Sequence, residues 1–220
     1  MTTPVPIAAV ILDFDGTIID TESSQYETVR EEFRRAGVDF PLADFLATIG
    51  RGDHRHWSDV LQDRTGPLPN IDEIRARRLA ANHRQVAATP VRPGIADLLD
   101  RADRHGLPLG VASSSPSDWV DGHLETRGLR HRFATVATRD HVERAKPWPD
   151  VYLLAAERLA VEPGRCLVIE DSGTGIRAAK DAGMWCVAVP NPITAASDLS
   201  GADLVLSSLT ELPYDRFGLG

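Results

Sequence analysis

Asp13 and Asp15 stand two residues apart in Asp13-Phe14-Asp15-Gly16-Thr17, directly after the apolar run Val10-Ile11-Leu12. Two carboxylates at that spacing can converge on one site once the chain leaves a sheet, and Gly16 permits the tight bend this needs. One carboxylate can attack as a nucleophile and form a covalent intermediate. The other can protonate a leaving oxygen and then activate water. Taken alone, the same residues also suit an ordinary Asp-Gly turn. Three further segments carry groups of matching chemistry. Ser113, Ser114 and Ser115 follow Val111-Ala112 just before a helix start, where hydroxyls and free N–H groups suit a phosphate or simply cap the helix. Lys146 precedes Pro147-Trp148-Pro149-Asp150. A fixed ammonium there can neutralise an attacking carboxylate and a phosphate together, whereas a lone loop lysine is ordinarily solvated. Glu170 and Asp171 close the apolar run Val168-Ile169, where unpaired acids are costly and call for a cation, hydrogen bonds or water. Asp13, the Asp15 backbone carbonyl and Asp171 offer hard oxygen ligands, and a site with few protein ligands suits Mg²⁺.

These groups need a scaffold that brings chain ends together. Apolar runs at 107–113, 133–137, 166–170, 185–189 and 203–206 read, with the first, as strands. Helical spacings lie between most of them: Ile95, Leu98, Leu99 and Ala102; Trp119, Val120 and Leu124 behind Pro116 as a first helical residue; Tyr152, Leu153 and Ala156; and Ile176, Ala179 and Lys180 up to Gly183. Strands alternating with helices predict a doubly wound, mainly parallel α/β sheet. The stretch from Gly16 to Pro90 is too long for one crossover. Tyr26, Val29, Phe33 and Ala36 predict one helix, Leu42, Phe45, Leu46 and Ile49 a second, and Trp57, Val60 and Leu61 a third. Asn70 predicts the cap of a fourth, carrying Ile71, Ile74 and Leu79. Residues 20–90 therefore read as an α-helical cap domain inserted into a core of residues 1–19 and 91–220, placed over the strand ends where open α/β sheets bind ligands.

The chain has 220 residues and a formal net charge of −8, which argues against a broad nucleic-acid surface. All but two of its 24 Lys and Arg residues are Arg, so chemistry that needs a lysine has only Lys146 and Lys180. Cys166 and Cys186 lie in apolar runs and read as buried free thiols. No basic leader and no membrane-length apolar run are present. The expectation is a cytoplasmic protein, monomeric or weakly homo-oligomeric, without nucleic-acid or membrane partners.

In their order and spacing, Asp13-x-Asp-Gly-Thr, Ser113, Lys146-Pro-x-Pro-Asp and Glu170-Asp-Ser-x-x-Gly-Ile-x-Ala-Ala-x-x-Ala-Gly-Met184 resemble the haloacid dehalogenase superfamily, in its branch with a helical cap after the first strand. The resemblance implies a Rossmann-like core and a Mg²⁺-dependent phosphatase for a small phosphorylated metabolite, a sugar phosphate or a nucleotide. It implies Asp13 as the nucleophile, Asp15 as the general acid and base, and Lys146 as the charge balance. It also implies phosphate contacts from Phe14, Ser113 and Ser114, and a metal at Asp13, Asp15 and Asp171 with Glu170 as a ligand or just behind it. Arg51, with Asp53 and His54, would face the site from the cap.

The family's dehalogenases typically lack the second Asp, and its phosphonate hydrolases look to a cap lysine that the stretch from Gly16 to Pro90 does not contain. Sugar-phosphate mutases of the β-phosphoglucomutase type are the main alternative. They carry a His where this chain has Gln25 and a Lys where it has Pro116, which favours hydrolysis. A remoter alternative is a dinucleotide-binding module, because Gly173-x-Gly175-x-x-Ala178 follows a strand and opens a helix.

Overall fold

Ala9-Val10-Ile11-Leu12 has no polar side chain to show to water, and it forms β1 (Ala9–Leu12), fully buried at the centre of a sheet in a computed structural model that describes residues 6–49 and 55–220. Parallel strands flank it on both sides: β2 (Leu109–Ala112), with Val10 opposite Leu109, and β4 (Cys166–Glu170), with Ala9 opposite Cys166. Beyond these lie β3 (Thr135–Ala137), β5 (Trp185–Ala188) and β6 (Leu204–Val205), giving the order β3-β2-β1-β4-β5-β6 with every pair parallel. In this doubly wound order the strand sequence reverses between β1 and β4, and a crevice opens at their carboxyl ends. Asp13 leaves β1 there and Asp171 leaves β4 there.

Helices cover both faces. One apolar layer sets α5 (Ile95–Arg104) and α6 (Ser117–Thr126) against Val10, Leu12 and Leu167. The opposite layer sets α7 (Asp150–Arg158) and α8 (Gly173–Asp181) against Ala9, Ile11 and Val168. Cys166 and Cys186 are buried free thiols, as expected. None of the described helices is long and apolar enough to cross a membrane.

Between β1 and α5 come α1 (Thr21–Arg35), α2 (Leu42–Leu46), α3 (Trp57–Thr65) and α4 (Ile71–Ala88). They gather on an apolar cluster of their own, built on Val29, Phe33, Phe40, Phe45 and Leu61, with Ile193 of the core touching it. The fold is therefore an α/β core with an inserted helical cap. Ile19 pairs with Val91 in an isolated antiparallel bridge, so the chain enters and leaves the helical segment side by side.

Two helix expectations need correction. Leu79 is half exposed, because the inward face of α4 runs through Ile74, Asn82 and Val86 at multiples of four, and Leu79 falls off that line. Helix α6 begins at Ser117, which makes Pro116 its N-cap residue rather than its first helical one.

Candidate active site

The bend after β1 is dictated by Gly16, whose φ is +84°. A β-carbon there would overlap Oδ2 of Asp171 and crowd Nδ2 of Asn191. The Arg92 guanidinium holds the same loop by donating to the carbonyls of Gly16, Val189 and Pro190. Gly16→Ala is expected to cost about 1–2 kcal/mol from left-handed backbone strain alone. The check is a urea midpoint, and an unchanged midpoint would show that the loop relaxes freely.

Lys146, 1% exposed, sits between two acids: Nζ donates to Oδ1 of Asp13 at 2.5 Å and to Oε1 of Glu170 at 2.7 Å. The Tyr152 hydroxyl also donates to Glu170 Oε1, at 2.8 Å. Glu170 Oε2 accepts from the backbone N–H groups of Asp171 and Ser172 and from the Ser172 hydroxyl. Both Glu170 oxygens are thus engaged. Asp171 Oδ2 accepts from Asn191 Nδ2 at 2.7 Å. One carboxylate oxygen from each of Asp13, Glu170 and Asp171 lies within 4.8 Å of the others, and all three residues are buried.

One ammonium faces three buried acids, and the electrostatics register the imbalance. Burial raises the carboxyl of Asp13 above its usual range, with Glu170 and Asp15 adding to the effect and Lys146 opposing it. Burial raises Asp171 well above its usual range too, with further repulsion from Glu170 and Asp13. Burial also disfavours the Glu170 carboxylate, but Lys146 and the donors from Ser172 and Tyr152 outweigh it and hold that group low. For Lys146, burial disfavours the ammonium, yet Asp13 and Glu170 prevail and hold it above its ordinary value. The cluster carries more negative charge than its lysine compensates, and its free donors are hard oxygens. That donor set fits a small divalent cation.

The Asp15 side chain turns away from this cluster into a cradle of donors. Oδ1 accepts from Thr21 Oγ1 at 2.8 Å and from Trp119 Nε1 at 2.9 Å. Oδ2 accepts from Ser115 Oγ at 2.5 Å, with Ser113 Oγ at 3.5 Å. The Phe14 side chain is fully buried and stacks on His123, so it faces the sheet-covering layer, and only the Phe14 backbone is placed to meet a phosphate. Arg51, Asp53 and His54 lie outside the described residues.

A cavity of about 280 Å³ joins these groups to the helical segment. Asp13, Asp15, Ser113, Ser114, Lys146 and Asp171 line its floor, and Gln25, Phe40, Phe45, Trp57 and Arg78 are among the residues opposite. Sequence reasoning missed several of these. Glu22 is buried at the cavity, and burial with repulsion from Asp15 and Asp13 raises its carboxyl well above the usual range. Arg78 falls on the Ile74–Asn82–Val86 line of α4, a spacing that would have marked it as inward-facing. Trp57, read as cap core, both lines the cavity and packs on the cap cluster. Ser115 belongs to the hydroxyl run read as a phosphate site, but its bond to Asp15 was not foreseen, and Trp119 and Thr21 gave no chemical signal in the sequence.

The glycines of the Gly173-x-Gly175 motif make room for protein atoms. A β-carbon on Gly175 would overlap the Glu170 carboxylate, and one on Gly173 would come within 2.7 Å of the Asp198 carbonyl oxygen. Ser172 caps α8 by accepting from Gly175 N–H at 3.1 Å. The pattern serves the acid cluster and needs no pyrophosphate to explain it.

A Rossmann-like sheet with an acid–lysine centre at its switch point, under a helical cap, defines an α/β phosphohydrolase. Residues 7–183 match the model of the haloacid dehalogenase-like hydrolases, and the chain belongs to that family. It is 40% identical to the putative phosphatase YhcW of Bacillus subtilis (strain 168), over 94% of each chain. It is 33% identical to validoxylamine A 7'-phosphate phosphatase of Streptomyces hygroscopicus subsp. limoneus, over 94% of this chain and 97% of that one. Among solved structures, a mutant of CbbY from Rhodobacter sphaeroides in complex with xylulose-(1,5)bisphosphate superposes with a TM-score of 0.75 and 33% identity, covering 94% of this chain and 96% of that one.

Proposed function

We propose that the protein is a Mg²⁺-dependent phosphatase that hydrolyses a small phosphomonoester, a sugar phosphate or nucleotide-like metabolite, through an aspartyl-phosphate. The observation that carries this reading is the buried Asp13–Lys146–Glu170–Asp171 cluster, in which one ammonium faces three carboxylates. Asp13, Asp171 and the Asp15 backbone carbonyl would hold Mg²⁺, which supplies positive charge beside the phosphate. Glu170, with both oxygens engaged, holds Lys146 rather than the metal.

Asp13 attacks phosphorus, and the bond to the leaving oxygen breaks as Asp15 delivers a proton to it. Asp15 then takes a proton from water, which attacks the aspartyl-phosphate, releases inorganic phosphate and restores Asp13. Lys146 and the Ser113 hydroxyl hold the transferring group, and positioning plus charge neutralisation supply most of the rate. Residues 20–90 act as the cap that screens the reaction from bulk water and selects the substrate. The mixed lining of Glu22, Gln25 and Arg78 beside Phe40 and Trp57 suits a polar, compact leaving group. Support also comes from a relative that is a phosphatase and from a neighbour that binds a sugar bisphosphate.

Phosphate release across a panel of phosphomonoesters tests the reading. EDTA is expected to abolish release and added Mg²⁺ to restore it; full turnover in EDTA would remove the metal from the mechanism. Conversion of a hexose 1-phosphate into its 6-phosphate without phosphate release would identify a mutase instead.

A further inference from the structure

We infer that Trp119 is a positioning residue for Asp15, acting through its indole N–H. This rests on the reading of Asp15 as the acid and base. Asp15 stands on the loop after β1 and Trp119 on α6, and Nε1 donates to Asp15 Oδ1 at 2.9 Å. The remaining donors of the cradle are the hydroxyls of Thr21, Ser113 and Ser115. A hydroxyl rotates and both donates and accepts, so it adapts to wherever the carboxylate goes. An indole N–H only donates, along one direction set by the ring.

That ring is itself held. His123 meets it edge-on at 4.2 Å and His83, from α4, packs beside it at 5.4 Å, while the core layer under α6 supports it from below. Phe14, between the two aspartates in sequence, stacks on His123. The result is a fixed peg on Oδ1, which orients the carboxyl so that Oδ2, met by the rotatable hydroxyls of Ser113 and Ser115, is the oxygen that addresses the leaving group. Asp15 lines the cavity and Trp119 is not among its described lining residues, so Trp119 acts on the reaction through Asp15.

The test compares two phosphate esters on the Mg²⁺-loaded enzyme by rapid-quench measurement of the first phosphoryl transfer. p-Nitrophenolate leaves without help from an acid, whereas the alkoxide of β-glycerol phosphate needs a proton. Trp119→Phe keeps an aromatic ring between the histidines but removes the N–H. It is expected to slow transfer from β-glycerol phosphate about tenfold, and transfer from p-nitrophenyl phosphate by less than about twofold, with KM unchanged for both. Equal losses on the two esters would mean a merely structural role, and no loss on either would mean no role; both outcomes overturn the proposal. Asp15→Asn serves as the control. If it too fails to discriminate between the esters, the acid/base reading falls and the proposal with it. If it discriminates and Trp119→Phe does not, only the proposal falls. Should Trp119→Phe fail to fold, a benzothienylalanine at this position keeps the shape of the indole without its donor, and the same comparison applies.

Discussion

Asp13→Asn is expected to lower phosphatase activity on the order of a thousandfold or more while leaving the protein at least as stable as the wild type. The two halves of this expectation have one cause. In the proposed mechanism the Asp13 carboxylate attacks phosphorus beside Lys146, and an amide cannot replace it as a nucleophile. The same carboxylate is buried among Glu170, Asp171 and Asp15, so its charge works against the fold when no metal is bound. A carboxyl raised by burial contributes stability below its unfolded-state pKa and loses it as pH rises through the folded-state value. The amide carries no such penalty. In metal-free protein at neutral pH, the melting temperature of the variant should therefore equal or exceed that of the wild type. Near-normal, metal-dependent turnover by Asp13→Asn would disprove the nucleophile assignment. Lost activity accompanied by a collapsed melting temperature would trace the loss to unfolding instead.

Lys146→Met should do the reverse to stability. Its ammonium is the partner of both Asp13 and Glu170, and the side chain is almost fully enclosed. Removing one member of a buried ion cluster strands the charges that remain, at a cost of about 3–5 kcal/mol. Methionine fills much of the space, so the loss is electrostatic rather than a cavity effect. Urea unfolding measures it, and a change below about 1 kcal/mol would show that water or proton uptake already compensates the acids. Activity should fall with it, because nothing else among the described residues neutralises Asp13 from that side.

The core was legible because its signals are local. A strand buried on both faces disfavours polar side chains along its length, so the first polar residues after each apolar run mark where the chain leaves or is about to leave the sheet. Asp13, Ser113 and the Glu170-Asp171 pair announce themselves this way, and the Cys166–Glu170 strand appears with the bounds its apolar run suggested. The cap was less legible. Its helices are amphipathic around a small cluster, and α4 spends part of its inward face on Arg78 and Asn82, which break the apolar stripe and made Leu79 look like a core residue. The serines of the cradle around Asp15 were legible as hydroxyls at a strand end, but their convergence on Asp15 was not. Ser115 and Trp119 reach Asp15 across a separation of 100 residues or more, and their approach depends on how α6 winds off β2, which no local pattern encodes.

The bridge between Ile19 and Val91 has a consequence for how such a protein can change over time. Because the two crossings are clamped to each other, the core experiences the whole helical segment as a loop with adjacent ends. Closing a flexible loop costs only about 0.6 kcal/mol more for each doubling of its length. Insertions, deletions and exchanges in the parts of the segment away from Thr21, His83 and Val86, which touch the core, therefore cost the sheet little. A lineage can remodel what enters the cavity while keeping Asp13, Lys146 and Asp171 on its floor, as one handle accepts many blades.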